Sequence, residues 1–92
     1  VSPATARKVT TMLEGVVAEG GTGKRARVEG LRVAGKTGTA DLEGAVLNAS
    51  FIGIVPVEAP RYVVLVAAET KSGSGPSTAA PRFSALVGRA FR

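Results

Sequence analysis

Val33-Ala34-Gly35-Lys36-Thr37-Gly38-Thr39-Ala40 decides how the chain is read. β-Branched residues at Val33, Thr37 and Thr39 favour a pleated, half-buried conformation, so Leu31 to Ala40 is predicted as a strand. Gly35 and Gly38 interrupt it and mark points where another backbone or a ligand comes close. Asp41 to Gly44 supplies the turn that ends it.

Working outward, Ala45 to Val57 and Arg61 to Ala68 are strongly β-prone runs, joined by the short connection Glu58-Ala59-Pro60 typical of antiparallel neighbours. Upstream, Ser2-Pro3 has the hydroxyl N-cap and first-turn proline of a helix start. Ala6, Val9, Met12, Leu13, Val16 and Val17 then recur at helical spacing, and Gly20-Gly21 stops the helix. Gly21 to Gly30, rich in glycine and charge, is predicted as a loop. Lys71 to Ser77 is predicted as a Gly/Ser loop, after which Ala80, Phe83, Leu86, Val87, Ala90 and Phe91 mark a second apolar stripe. The fold class is therefore α+β: helix, three-stranded antiparallel meander, helix, each apolar face covered by another. Phe51, Ile52, Ile54, Val63, Val64, Leu65 and Val66 are expected to form the core, with Phe83 and Phe91 packing from the last helix.

Composition bounds the function. Ninety-two residues, 45% hydrophobic and 21% charged, fit one small globular unit and not a disordered tail. A core this small must offset the ordering entropy of the whole backbone, and the chain has no Cys for disulfides and no His for metal ligation. Neither metal nor cofactor is expected, and the missing reinforcement suggests a piece of something larger. The longest apolar run, Tyr62 to Ala68, is far too short to span a bilayer. A net charge of +5 favours acidic partners only in general terms.

Lys36-Thr37-Gly38-Thr39 on a strand resembles the Lys-Thr-Gly element of serine penicillin-recognising enzymes, in its longer penicillin-binding-protein form. The surroundings resemble class B, division-type members across nearly the whole chain. They are Ser2-Pro3 with its helix, Gly21-Thr22-Gly23 with Ala26, Ser50-Phe51-Ile52-Gly53 with Pro56, Pro60-Arg61-Tyr62, and Ala80-Pro81 with Phe83. The resemblance implies the C-terminal part of a transpeptidase domain, residues 1–92, with the serine β-lactamase/D,D-transpeptidase fold. It also implies an activity for the parent protein: cross-linking of peptidoglycan stem peptides through an acyl-serine intermediate.

Strand alternation puts Thr37 and Thr39 on one face, where both hydroxyls can donate to a carboxylate, while Lys36 adds positive charge. Charge-assisted bonds of this kind contribute roughly 1.5–3 kcal/mol each, enough to align a substrate. Gly38 lets a substrate backbone lie against the strand. By resemblance, the backbone amide of Thr39 is also an oxyanion-hole donor, and Lys36 contacts both substrate carboxylate and active-site serine. Expected ligands are a stem peptide ending in D-Ala-D-Ala and, in the intact domain, β-lactams. Neither S-x-x-K nor S-x-N occurs between Val1 and Arg92, so the chain alone has no catalytic residue to form an acyl-enzyme and is expected to be inactive.

Other patterns compete. Gly30 to Thr37 satisfies the phosphate-loop pattern G-x-x-x-x-G-K-[ST], which would make a nucleotide-binding module if a helix opened there. A noncatalytic module binding peptide carboxylates is a second alternative. Lys24, Arg25, Arg27 and Arg32 could form a nucleic-acid patch, but with one Tyr and three Phe for stacking no nucleic acid is expected. Asn48-Ala49-Ser50 fits a glycosylation sequon on an expected strand, and Asp41, Glu43, Glu58 and Glu69 read as surface acids without a paired partner.

Family topology places the Lys36 strand at the sheet edge beside the active-site cleft. The Arg61 to Ala68 strand would pair on its far side with the N-terminal part of the same domain, or self-associate through that edge when alone. The parent is expected to be anchored to the bacterial cytoplasmic membrane with this domain on its outer side.

Overall fold

The computed structural model describes residues 1–18 and 20–91. Helix α1 runs Pro3–Val17, strands β1, β2 and β3 run Ala34–Leu42, Val46–Val55 and Tyr62–Thr70, and helix α2 runs Ala80–Ala90. The sheet is antiparallel throughout with order β1-β2-β3, so β1 and β3 are its two edges. The α+β class and the meander are as expected. Ser2 caps α1 by accepting the Thr5 amide, with Pro3 in the first turn.

Element limits moved by a few residues for local reasons. Arg32 and Val33 precede β1, behind a tight turn closed by a Val28–Leu31 bridge. Asp41 and Leu42 remain in the strand, paired with Leu47 and Val46, and the turn is Glu43–Ala45 with positive φ at Gly44 and Ala45. Two segments expected as loop carry short helical turns. Lys24–Ala26 is a 3-10 turn, and Gly75–Ala79 is a π-type turn running straight into α2. A reciprocal cap starts the latter: Ser74 accepts from the Ser77 amide while the Ser77 hydroxyl accepts from the Ser74 amide.

Only one sheet face is buried. Along β2, Ala49, Phe51, Gly53 and Val55 are buried and the residues between them are not. Val17, Ala26, Val33, Ala79, Ala80, Phe83 and Val87 close over that face. Phe51 and Phe83 stand at its centre with ring centroids 4.6 Å apart, tilted by 58°. Gly35 and Gly53, opposite each other in the register, make room for these rings. A Cβ on Gly35 would meet the Ile52 carbonyl and the Phe51 ring at 2.5 Å, and one on Gly53 would meet the Phe83 ring.

The opposite face corrects the expected core. Ile52, Val63 and Leu65 are 45%, 67% and 63% exposed, because register sends them away from Phe51 and none of the described residues cover that side. The α1 stripe is likewise buried only at its end. Val17 is in the core, while Val9 and Met12 project into solvent. Phe91 is half-buried and meets Tyr62 edge-on at 5.8 Å.

Candidate functional site

β1 carries Lys36, Thr37, Gly38 and Thr39 along an open sheet edge. Thr37 and Thr39 stand opposite Phe51 and Ala49, hence on the covered face, while Lys36 and Gly38 stand opposite Ile52 and Ser50 on the open face. Lys36 and Thr39 are exposed, and Thr37 and Gly38 half-buried.

Antiparallel ladders alternate residues that bond the neighbouring strand with residues whose N–H and C=O point away from it. The Gly38 carbonyl accepts Ser50 Oγ across the β1–β2 pair, so the even-numbered residues of β1 turn their backbone groups toward β2. The Thr37 carbonyl accepts Lys36 Nζ at 3.1 Å, consistent with the odd-numbered ones facing out. The amides of Thr37 and Thr39 are therefore directed to the open edge, on the same margin as the Lys36 ammonium.

Two loops hold the threonine hydroxyls. Thr37 donates to Thr22 Oγ1 at 3.2 Å, so its proton is shared with the 21–26 segment and a carboxylate would have to draw it away. Thr39 accepts the Gly75 amide at 2.9 Å and, being the acceptor there, keeps a proton to donate. Gly75 seats directly on β1 and β2: a Cβ there would meet the Gly38 oxygen at 2.7 Å, the Ser50 oxygen at 2.8 Å and the Gly38 nitrogen at 2.9 Å. On the other side, a Cβ on Gly38 would meet Ser50 Oγ at 2.7 Å. Gly38 thus lies between a neighbouring hydroxyl and a neighbouring backbone, a close approach within the fold beside the one expected for substrate.

Thr22, Ser50, Gly75 and Ser77 were not among the expected site residues. A signal for two of them was present in Ser74-Gly75-Pro76-Ser77, a hydroxyl, a proline and a second hydroxyl at capping-box spacing. Nothing local in the sequence ties Thr22 to Thr37.

The phosphate-loop reading is overturned. Gly30 lies in the Val28–Leu31 turn and Gly35 to Thr37 lie inside β1, so no helix N-terminus follows Lys36 to receive a phosphate. Arg32 makes a two-pronged pair with Glu14, Nε to Oε2 and Nη2 to Oε1 both at 2.8 Å, which removes it from any continuous basic patch. The Arg32 hydrogen bonds hold the Glu14 carboxyl below its ordinary pKa, against the opposing effect of burial. This pair lines the larger hollow, between α1 and residues 27–33, away from Lys36–Thr39. Asn48 lies within β2 as expected. Among the described residues no group of His, Cys, Asp and Glu is arranged to hold a metal, and no helix is long and apolar enough to cross a membrane.

The family model described as the penicillin-binding protein transpeptidase domain matches residues 1–88. Stage V sporulation protein D of Bacillus subtilis is 43% identical over all of this chain and 15% of its own length. Peptidoglycan D,D-transpeptidase FtsI of Escherichia coli is 36% identical over 94% of this chain and 16% of its own length. The solved transpeptidase domain of the FtsI4 D,D-transpeptidase from Legionella pneumophila superposes with a TM-score of 0.89 at 39% identity, covering 100% of this chain and 37% of that one. The fold is thus that of D,D-transpeptidase domains. The chain belongs to the penicillin-binding protein transpeptidase domain family, the one its Lys36–Thr39 strand resembles, and spans about 15–16% of the two curated relatives named.

Proposed function

We propose that this chain is the part of a division-type peptidoglycan D,D-transpeptidase that holds the terminal carboxylate of the stem peptide. The supporting observation is that β1 is a sheet edge along which Lys36, the Thr39 hydroxyl and the outward amides of Thr37 and Thr39 share one margin. A peptide ending in D-Ala-D-Ala lies along that margin with its carboxylate on the Lys36 ammonium and the threonine hydroxyls. A serine from elsewhere in the parent attacks the carbonyl of the penultimate residue. The C–N bond breaks, the terminal D-Ala leaves with a proton on its amine, and the acyl group remains as a serine ester. The amine of a second stem peptide then attacks that ester and restores the serine hydroxyl. In both additions negative charge gathers on the carbonyl oxygen, where the Thr39 amide donates to it. A β-lactam uses the same carboxylate contacts and the same acylation.

The same reading places the parent at the cytoplasmic membrane with this domain on its outer side. It assigns the outer edge of β3 and the exposed Ile52, Val63 and Leu65 face to the rest of the domain.

Labelling with a fluorescent penicillin tests the proposal. The full-length protein containing residues 1–92 is expected to be labelled covalently, and the 92-residue chain is not. Absence of labelling in the full-length protein overturns the reading. If the short chain alone binds a D-Ala-D-Ala peptide and the full-length protein is not acylated, a noncatalytic carboxylate-binding module is the better description.

A further inference from the structure

Gly38 lies in the middle of β1, and its carbonyl belongs to the same peptide unit as the Thr39 amide. Planarity makes the two ends of that unit move together, so whatever holds the Gly38 oxygen also sets the direction of the Thr39 N–H. Glycine is the residue least able to hold such a plane by itself, because it has no Cβ to limit backbone rotation. Neighbours hold it instead. Ser50, opposite Gly38 on β2, donates its hydroxyl to the Gly38 oxygen at 3.5 Å. The same hydroxyl fills the place a Gly38 side chain would take, since a Cβ there would lie 2.7 Å from Ser50 Oγ. Gly75 closes the other face, where a Cβ would stand 2.7 Å from the Gly38 oxygen. The carbonyl end of the unit is thus held from two sides, while the Thr39 amide is left directed to the open edge.

We propose that Ser50 is a positioning residue for the oxyanion: its hydroxyl, acting through the Gly38 oxygen, keeps the Thr39 amide aimed at the carbonyl oxygen of the bound substrate. The inference rests on the reading of β1 given above and adds to it a residue of β2 that touches no substrate atom. Its effect belongs to the transition state. A donor stabilises developing charge best when it is already in place, whereas a tilted amide must turn back at the moment of reaction. The carboxylate end of the site depends on side-chain groups, the Lys36 ammonium and the threonine hydroxyls, and not on the tilt of this peptide. Loss of the Ser50 hydroxyl therefore slows attack on the carbonyl without changing how strongly a free carboxylate is preferred. At 3.5 Å the contact is long for a hydroxyl, so its loss has a fraction of the effect of losing the amide donor outright.

The test uses the full-length protein and a matched pair of variants, Ser50→Thr and Ser50→Val, which differ in the hydroxyl and share branching and bulk. Ser50→Ala removes the hydroxyl without adding bulk. The readouts are the acylation rates with benzylpenicillin and with its methyl ester, together with the thermal midpoint. Ser50→Thr should stay within about twofold of wild type, whereas Ser50→Val and Ser50→Ala should be about three- to tenfold slower, a small part of what a lost oxyanion donor costs. Acid and ester should slow by the same factor, so that their ratio stays within about twofold of wild type. Equal rates in Ser50→Thr and Ser50→Val overturn the proposal. So does a loss confined to the free acid, which would make Ser50 part of carboxylate recognition, and so does a loss of rate that simply tracks the midpoint across the three variants. In each of these cases acylation of the wild-type protein still supports the transpeptidase reading. A wild-type protein that benzylpenicillin does not acylate overturns both.

Discussion

The Thr39 hydroxyl accepts the backbone amide of Gly75 at 2.9 Å, joining two residues 36 positions apart in sequence. That bond clamps the π-type turn Gly75–Ala79, and through it α2, onto the middle of the edge strand. One side chain therefore has a structural task and the recognition task proposed for β1.

Removing that hydroxyl should expose both tasks. Thr39→Val leaves the buried Gly75 amide without its acceptor, a loss of about 1–3 kcal/mol. Thr39→Ser keeps the acceptor and should stay close to wild type. Thermal unfolding of the full-length protein checks this: equal midpoints for the Val and Ser variants would contradict the clamp.

The Gly35–Gly53 pair should be intolerant of any side chain. Gly53→Ala drives a methyl group into the Phe83 ring and is expected to destabilise by about 1–3 kcal/mol through overpacking. Phe83→Ala should cost about 3–5 kcal/mol by opening a cavity beside Phe51. Denaturant unfolding of the three proteins, ranked by midpoint, should give wild type, then Gly53→Ala, then Phe83→Ala.

Ala45 has a left-handed backbone, φ 60°, in the β1–β2 turn. A Cβ in that region costs roughly 1–2 kcal/mol, so Ala45→Gly should stabilise, by up to about 1 kcal/mol after its greater unfolded-state entropy is subtracted. A lowered unfolding midpoint would show that the side chain of Ala45 contributes something the turn geometry does not reveal.

The Glu14–Arg32 pair predicts a pH dependence of definite sign. Its folded-state pKa is lowered from the ordinary 4.5, so ionised Glu14 favours the fold above that value. As pH falls through the folded-state pKa the contribution disappears. The stability difference between wild type and Glu14→Gln should therefore be small and positive near neutral pH and shrink in acid. It should also shrink in high salt, since both groups are partly exposed. A difference that grows on acidification would contradict the assignment.

β3 presents an outer edge whose Val63 and Leu65 are exposed, the kind of strand that pairs with another chain. In dilute solution the 92-residue chain should self-associate through it, and Leu65→Lys should reduce that association. Light scattering from a stable dilute monomer would end this prediction.

Much of the fold was legible because β-branched runs, the Ser2-Pro3 start and glycine punctuation all act locally. What was lost is non-local. The run Val63 to Val66 is uniformly apolar, so its composition cannot say that register turns Val63 and Leu65 outward while Val64 and Val66 pack on the core. The α1 stripe shows the same limit: spacing identifies a face, and only packing shows that Val17 alone is buried. At the site, Lys36–Thr39 stood out because four adjacent residues carry the pattern. Thr22 and Gly75 did not, because their relation to Thr37 and Thr39 exists only once helix, loop and strand have come together.

Recognition of a terminal carboxylate by the β1 edge is tested most directly by the ratio of acylation rates for benzylpenicillin and its neutral methyl ester. In the full-length protein the free acid should react much faster than the ester. Thr37→Val/Thr39→Val should cut that ratio by about tenfold or more, as the loss of one or two charge-assisted bonds implies, because the acid rate falls much further than the ester rate. A double variant that still distinguishes acid from ester as strongly as wild type would contradict the account.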